Sequence, residues 1–344
     1  MVHTMNDTLI NQNAQTQQKN PHKIGSPPQF EQELVGPLNA ILQKLPKPLT
    51  TDNIPLSRKL THKGSLKDDQ LTYNGAFNYK EIMISGSDNT SQLSMIICQP
   101  VVAKASGVIY HIHGGGMVAG NNRSGELACD LKRAKSLNLA VVAINYRLAP
   151  EHPYPIPVED CYTGLVWLEK NLQSLNTCKK IILSGNSAGG GLAACVSLLA
   201  RDRSGPKLSG QMLQCPMLDD RCDTVSSKQM YDVGVWDTIS NKTGWTALLG
   251  DQRGADNVSA YAAAAREKDL SNLPPTFIDV GSVESLRDEA IIFANRIWLH
   301  GGDAELHIWG GAFHSFDQWV PDAIISQTAD QVRINWLKRI LKQT

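Results

Sequence analysis

The chain has 344 residues, 42% of them hydrophobic and 19% charged, and its 33 lysines and arginines balance 33 aspartates and glutamates. That is a globular composition, long enough for one large domain or two small ones. With no net charge and no basic block there is no phosphate-neutralising surface to hold a nucleic acid, and apolar stretches such as 139–144 and 191–200 fall far short of the roughly 20 residues a bilayer span needs.

Residues 1–29 are rich in Asn, Gln, Thr and Pro and lack the basic start and apolar core of a secretory signal. They read as a polar leader on a cytoplasmic protein. Phe30, Leu34, Leu38, Ile41, Leu42 and Leu45 then recur at helical spacing. Pro37 is expected to interrupt that helix, because it removes a backbone donor and clashes with the preceding turn. One or two short amphipathic helices in search of a partner surface result.

From about residue 75 strands appear, over 79–84, 93–99 and 107–113. A repeated beat follows, with strands at 139–145 and 180–184 and helices at 158–172 and 188–201. Such alternation implies crossover units on a parallel sheet. Further strands are expected at 211–216, 276–280 and 304–309, and helices at 287–300 and 326–342. Between Asp219 and about Leu273 the strand signal lapses into a helical insertion bearing Trp236 and Trp245. The organisation is therefore a leader with N-terminal helices over 1–70 and a main α/β domain over 71–344, with the insertion at about 219–273 joining those helices in a lid.

The seven cysteines, at 98, 129, 161, 178, 195, 215 and 222, are odd in number and form no Cys-x-x-Cys pair and no zinc-ligand spacing. Free, mostly buried thiols are expected, with a reactive thiol near the site left open. The nine histidines form no His-Glu-x-x-His cluster. No metal is expected.

The sharpest local signal is a strand running through Ser184 into Gly185-Asn186-Ser187-Ala188-Gly189 and then a helix. Such a tight strand-to-helix turn strains its central residue, and glycines two positions either side permit the close packing that this demands. Ser187 would stand at the C-terminal edge of the sheet, with the helix N-terminus and the Ala188 amide aimed at a developing oxyanion. His113-Gly114-Gly115-Gly116 follows another strand. Consecutive glycines are expected where amides converge on something close, and the sequence has neither the P-loop nor the dinucleotide pattern that would make that something a phosphate.

A nucleophilic serine needs a base, and the base needs an orienting carboxylate. His314 lies in a loop just after the last predicted strand, where the histidine belongs in this chain order. His111 and His113 precede the glycine loop and are expected to hold it in shape. For the acid, Glu284 opens at the same sheet edge as Ser187, while Asp288 and Glu289 begin the next helix, where the dipole also accounts for a carboxylate. Glu284 is the first candidate and Asp288 the alternative.

These residues resemble the hormone-sensitive-lipase family of α/β-hydrolase esterases. The resemblance rests on His113-Gly-Gly-Gly116, Asn145-Tyr-Arg-Leu-Ala-Pro-Glu-His-Pro-Tyr-Pro155, Gly185-Asn-Ser-Ala-Gly-Gly190, Pro216-Met-Leu-Asp-Asp-Arg221, Glu284-Ser-Leu-Arg-Asp-Glu289 and the His314 loop, in the family's order, over about 75–342. It implies an α/β-hydrolase fold with a helical cap and hydrolysis of small carboxylic esters, of short to medium acyl chain, through an acyl-enzyme. Ser187 would be the nucleophile, His314 the base and Glu284 the acid, with Gly115, Gly116 and Ala188 as oxyanion donors. No cofactor is implied.

Two positions depart from the family's pattern. Asn186 stands where Asp is more frequent, and Glu284 where the acid is usually Asp, so the loop must shift to accommodate the longer side chain. The cap would be built from the N-terminal helices and the insertion, with Met230, Tyr231 and Trp236 as candidate pocket residues. A homodimer is compatible with the sequence, and stable membrane insertion is not expected. The same triad would also serve a lactone, amide or carbamate hydrolase or an acyltransferase. A non-catalytic small-molecule receptor is the reading from another class, but receptors of this family lose the triad histidine.

Overall fold

The computed structural model describes residues 24–45 and 47–342. Most of the polar leader, residues 1–23, lies outside the described residues. Eight strands form one sheet: β1 (Phe77–Ser85), β2 (Gln92–Pro100), β3 (Val108–Ile112), β4 (Ala140–Ile144), β5 (Ile181–Asn186), β6 (Gly210–Gln214), β7 (Thr276–Gly281) and β8 (Ala304–Trp309). Their order is β1-β2-β4-β3-β5-β6-β7-β8. The pairs β1–β2 and β2–β4 are antiparallel, and every later pair is parallel. Each strand expected from the sequence is present, with ends shifted by a few residues.

The helices are α1 (Gln32–Leu42), α2 (Ile54–Lys63), α3 (Asp68–Leu71), α4 (Glu126–Leu137), α5 (Ile156–Asn171), α6 (Ala188–Asp202), α7 (Val225–Gln229), α8 (Thr238–Leu249), α9 (Arg287–Leu299), α10 (Phe316–Trp319) and α11 (Ile324–Lys342). Both faces of the sheet are covered, which is why its central strands are apolar throughout rather than alternating. Val142 and Ile144 of β4 join residues of α5 and α6 in one core, while Val141 and Ala143 turn to Leu127, Leu131 and Ala134 of α4. On that second face α11 sends Trp336, Leu337 and Ile340 against Ile182, Met212 and Phe277. Helix α4 has no counterpart among the predicted elements. Its short apolar stripe begins within a polar stretch, and only the sheet face makes it decisive.

Two expectations are corrected. Helix α1 runs through Pro37 without interruption. A proline there costs about 3 kcal/mol, and burial of Leu34 and Leu38 against Phe313 and Phe316, at about 1.5–3 kcal/mol per side chain, offsets it. The stretch between Asp219 and Leu273 is mostly irregular, with α7 and α8 as its α-helices. Its polar turns are held by side-chain bonds instead, such as Arg266 to Asp220 at 2.7 Å and Asp237 capping α8 through the Ser240 amide at 2.7 Å.

The N-terminal segment and this excursion meet over the C-terminal edge of the sheet. The Leu49 amide donates to Ser240 Oγ at 2.9 Å, and Lys47 pairs with Asp237 at 3.1 Å. Arg58 of α2 donates to the Val118 and Ala149 carbonyls and to Glu151, fixing α2 on the loops below. The Glu31 amide reaches the Gly311 carbonyl at 2.9 Å. Of these residues, Lys47, Leu49 and Ser240 line one opening.

Candidate active site

Strand β5 ends at Asn186 and α6 starts at Ala188, so the whole turn is Ser187, with φ 58° and ψ −122°. A non-glycine residue held there costs about 1–3 kcal/mol and persists only where its surroundings impose it. They do: a Cβ on Gly189 would lie 2.0 Å from the Ile112 carbonyl oxygen, so only glycine lets α6 start this close to β3. The Ser187 hydroxyl is thereby presented at the head of a buried helix.

Ser187 Oγ lies 2.9 Å from His314 Nε2, and His314 Nδ1 lies 2.8 Å from Glu284 Oε2. All three are buried. The loop after β8 carries the histidine and the loop after β7 the glutamate, whose extra methylene still reaches the ring. Asp288 is committed elsewhere, accepting from the Ser226 amide at 2.7 Å and pairing with Arg287 at 2.7 Å. Burial alone would lower the His314 pKa, but Cys215 and Glu284 outweigh it and raise it above the usual imidazole value. Burial raises the Glu284 pKa. His314 is thus placed to gain a proton that Glu284 then compensates in charge.

The glycine loop after β3 is held from beneath. His113 stacks on Tyr146 with ring centroids 4.2 Å apart, its Nδ1 lies 2.8 Å from the Gly114 carbonyl, and burial pushes its pKa down to about 3. It stays neutral and structural, and His111 pairs with Asp130 at 2.9 Å. The Gly114 amide donates to Glu126 at 2.6 Å. The amides of Gly115, Gly116 and Ala188 have no acceptor among the described residues. Gly116 has φ 65° and sits against Trp236, whose ring a Cβ would meet at 2.4 Å.

A cavity of about 720 Å³ opens onto Ser187 and His314, within the usual range for small-molecule sites. Leu45, Leu49, Leu60, Val235 and Trp236 give it an apolar wall, and Glu126 and Lys132 lie on its lining as well. Of the candidate pocket residues only Trp236 lines it, at 6.2 Å between ring centroids from His314. Met230 is packed inside the excursion, and Tyr231 is 62% exposed at the surface. The two are neighbours just past the end of α7, and burying Met230 turns Tyr231 outward.

Sequence reasoning passed over Leu49, Trp319 and Glu126, which the tertiary arrangement brings to the cavity. It also passed over a polar cluster behind the histidine. Asn186 Nδ2 donates to Cys215 Sγ at 3.4 Å while its Oδ1 accepts from Ser315 Oγ at 3.0 Å. An aspartate could not make the first bond, so Asn186, Cys215 and Ser315 fit one another. The position of Cys215 just beyond β6, at the edge where β5 ends, was the available signal.

Residues 109–318 match a family model described as the alpha/beta hydrolase fold. The chain belongs to that family, among its hormone-sensitive-lipase-type esterases. It is 32% identical over 203 residues to esterase LipI of Mycobacterium tuberculosis, covering 58% of this chain and 62% of LipI. It is 31% identical over 230 residues to an arylesterase of Saccharolobus solfataricus, covering 65% of this chain and 73% of that protein. Among solved structures, a bacterial heroin esterase superposes with a TM-score of 0.81 at 32% identity, over 90% of this chain and 98% of its own. No helix among the described residues is long and apolar enough to cross a membrane.

Proposed function

We propose that the chain hydrolyses small carboxylic esters, of short to medium acyl chain, by a serine mechanism. The observation that carries the proposal is the Ser187–His314–Glu284 chain of contacts at the floor of the cavity. As the serine hydroxyl attacks the ester carbonyl, its proton passes to His314 Nε2, and Glu284 holds the Nδ1–H tautomer and offsets the imidazolium charge. The amides of Gly115, Gly116 and Ala188 receive the oxyanion, acting where charge develops and needing no reorganisation. His314 returns the proton to the leaving alcohol, and water repeats the attack on the acyl-enzyme.

In the same proposal the segment before β1 and the 219–273 excursion form the cap, and Trp236 shapes the space above His314. The seven cysteines, none of them in a disulfide, support a cytoplasmic location. The test is hydrolysis of p-nitrophenyl esters from acetate to palmitate. Turnover of the shorter esters, lost by at least about 10⁴-fold in a folded Ser187→Ala variant, is expected. A folded wild type that cleaves none of them, or a Ser187→Ala variant that keeps its rate, would overturn the reading.

A further inference from the structure

Cys215, Glu284 and His314 come from three different loops at the sheet edge. Their ligand atoms, a thiol sulfur, a carboxylate oxygen and a ring nitrogen, all lie within 4.8 Å of one another, and all three residues are buried. Glu284 uses Oε2 for His314, but its Oε1 has no hydrogen-bond partner although the residue is 1% exposed. Glu284 thus brings to the cluster a carboxylate with one oxygen still free of a protein partner, as a coordination shell would use. We propose that these three side chains bind a borderline or soft divalent cation, zinc or cadmium, and that its binding silences Ser187.

The chemistry of the set selects the ion. Zinc takes sulfur at about 2.3 Å and nitrogen or oxygen at about 2.0–2.2 Å in tetrahedral geometry, so modest side-chain rotation gathers the three atoms. One thiolate and one carboxylate offset the two positive charges, leaving a neutral complex, which a buried site requires. The thiol proton is released to solvent as the metal–sulfur bond forms. The Asn186 amide already donates to Cys215 Sγ and can stay on the sulfur once it ligates. Magnesium and calcium demand six or more oxygens and do not suit the site.

Access runs through the large cavity, which Ser187, His314 and Ser315 line, and Ser315 also borders the small void beside Cys215. A metal on Nε2 takes the lone pair that would receive the serine proton, and a metal on Nδ1 leaves the ring proton on Nε2, where it blocks the same lone pair, so inhibition follows from occupancy of either nitrogen. That consequence rests on the proposed serine mechanism, whereas binding itself does not.

The test therefore reads both. Metal-free protein is titrated with cadmium while the ultraviolet cadmium–thiolate absorption is followed, and ester hydrolysis is measured against zinc, cadmium and magnesium, each variant normalised to its own metal-free rate. The wild type is expected to gain an absorption component that Cys215→Ser lacks. Half-inhibition of Cys215→Ser should need at least about tenfold more zinc or cadmium, a chelator should restore the rate, and magnesium should do nothing. Equal absorption and equal inhibition in both proteins, or neither effect in the wild type, overturns the proposal. If Cys215→Ser does not fold, Glu284→Gln serves in the absorption titration, where cadmium affinity should fall at least tenfold and an unchanged affinity overturns the site. A wild type that binds cadmium through Cys215 but cleaves no ester separates failure of the mechanism from failure of the site.

Discussion

The turn around Ser187 and the segments that cover it reach the same cavity by opposite means. At the turn, backbone sterics leave one solution: Ser187 at φ 58°, with Gly189 pressed against the Ile112 carbonyl. In the cover, α1, α2, α7 and α8 are short, joined by irregular chain, and fixed by scattered side-chain contacts such as Arg58 to Glu151 and Leu49 to Ser240. In the proposed mechanism the chemistry sits where the backbone has no freedom, and the selection of substrate where it has more. Substitutions at the turn and its partners should therefore stop turnover, whereas substitutions in the cover should redistribute it among substrates.

The largest effect should come from the acid. Glu284→Gln is expected to lower kcat by about 10⁴-fold through loss of the Nδ1–H tautomer, while Asp288→Asn, whose carboxylate is bonded to Ser226 and Arg287 rather than to His314, should change it less than about tenfold. The pair of kcat values on one p-nitrophenyl ester decides the assignment, and a larger loss in Asp288→Asn would reverse it. Next comes the glycine loop. Gly116→Ala puts a methyl into Trp236 at a positive φ, and should cost about 100- to 1000-fold in kcat as an oxyanion donor is displaced, with thermal denaturation confirming a folded protein.

In the cover, Trp236→Ala should shift the chain-length profile towards bulkier acyl groups and change kcat/KM by about 10- to 100-fold on the best substrate. Tyr231→Ala, at the exposed surface, should leave the profile where it was. A profile that moves with Tyr231 and not Trp236 would break the distinction drawn here.

The smallest effect concerns pH. In the proposed mechanism turnover needs neutral His314, so kcat/KM should fall on acidification through its raised pKa. Glu284 contributes to that elevation, so the residual activity of Glu284→Gln should show its acid limb at lower pH than that of the wild type. An acid limb that stays fixed would show that Glu284 does not act on the histidine.

What was legible in the sequence follows the same division. The parallel strands declared themselves as apolar runs because both faces of the sheet are covered, and the crossover beat placed Ser187, Glu284 and His314 at one edge, where the loops after β5, β7 and β8 converge. Those relations are short in sequence or repeat with the fold, so local chemistry carries them. The tertiary structure alone decided the rest. It set Glu284 rather than Asp288 against His314, since two carboxylates four residues apart differ only in what folds over them. It kept α1 continuous through Pro37, because the apolar contacts that offset the proline lie on a loop nearly three hundred residues away. It chose Trp236 and Leu49 for the cavity wall over Met230 and Tyr231, and it gathered Asn186, Cys215 and Ser315 behind the histidine. Each of these choices is a contact between distant segments, settled by packing energies that no local pattern of residues records.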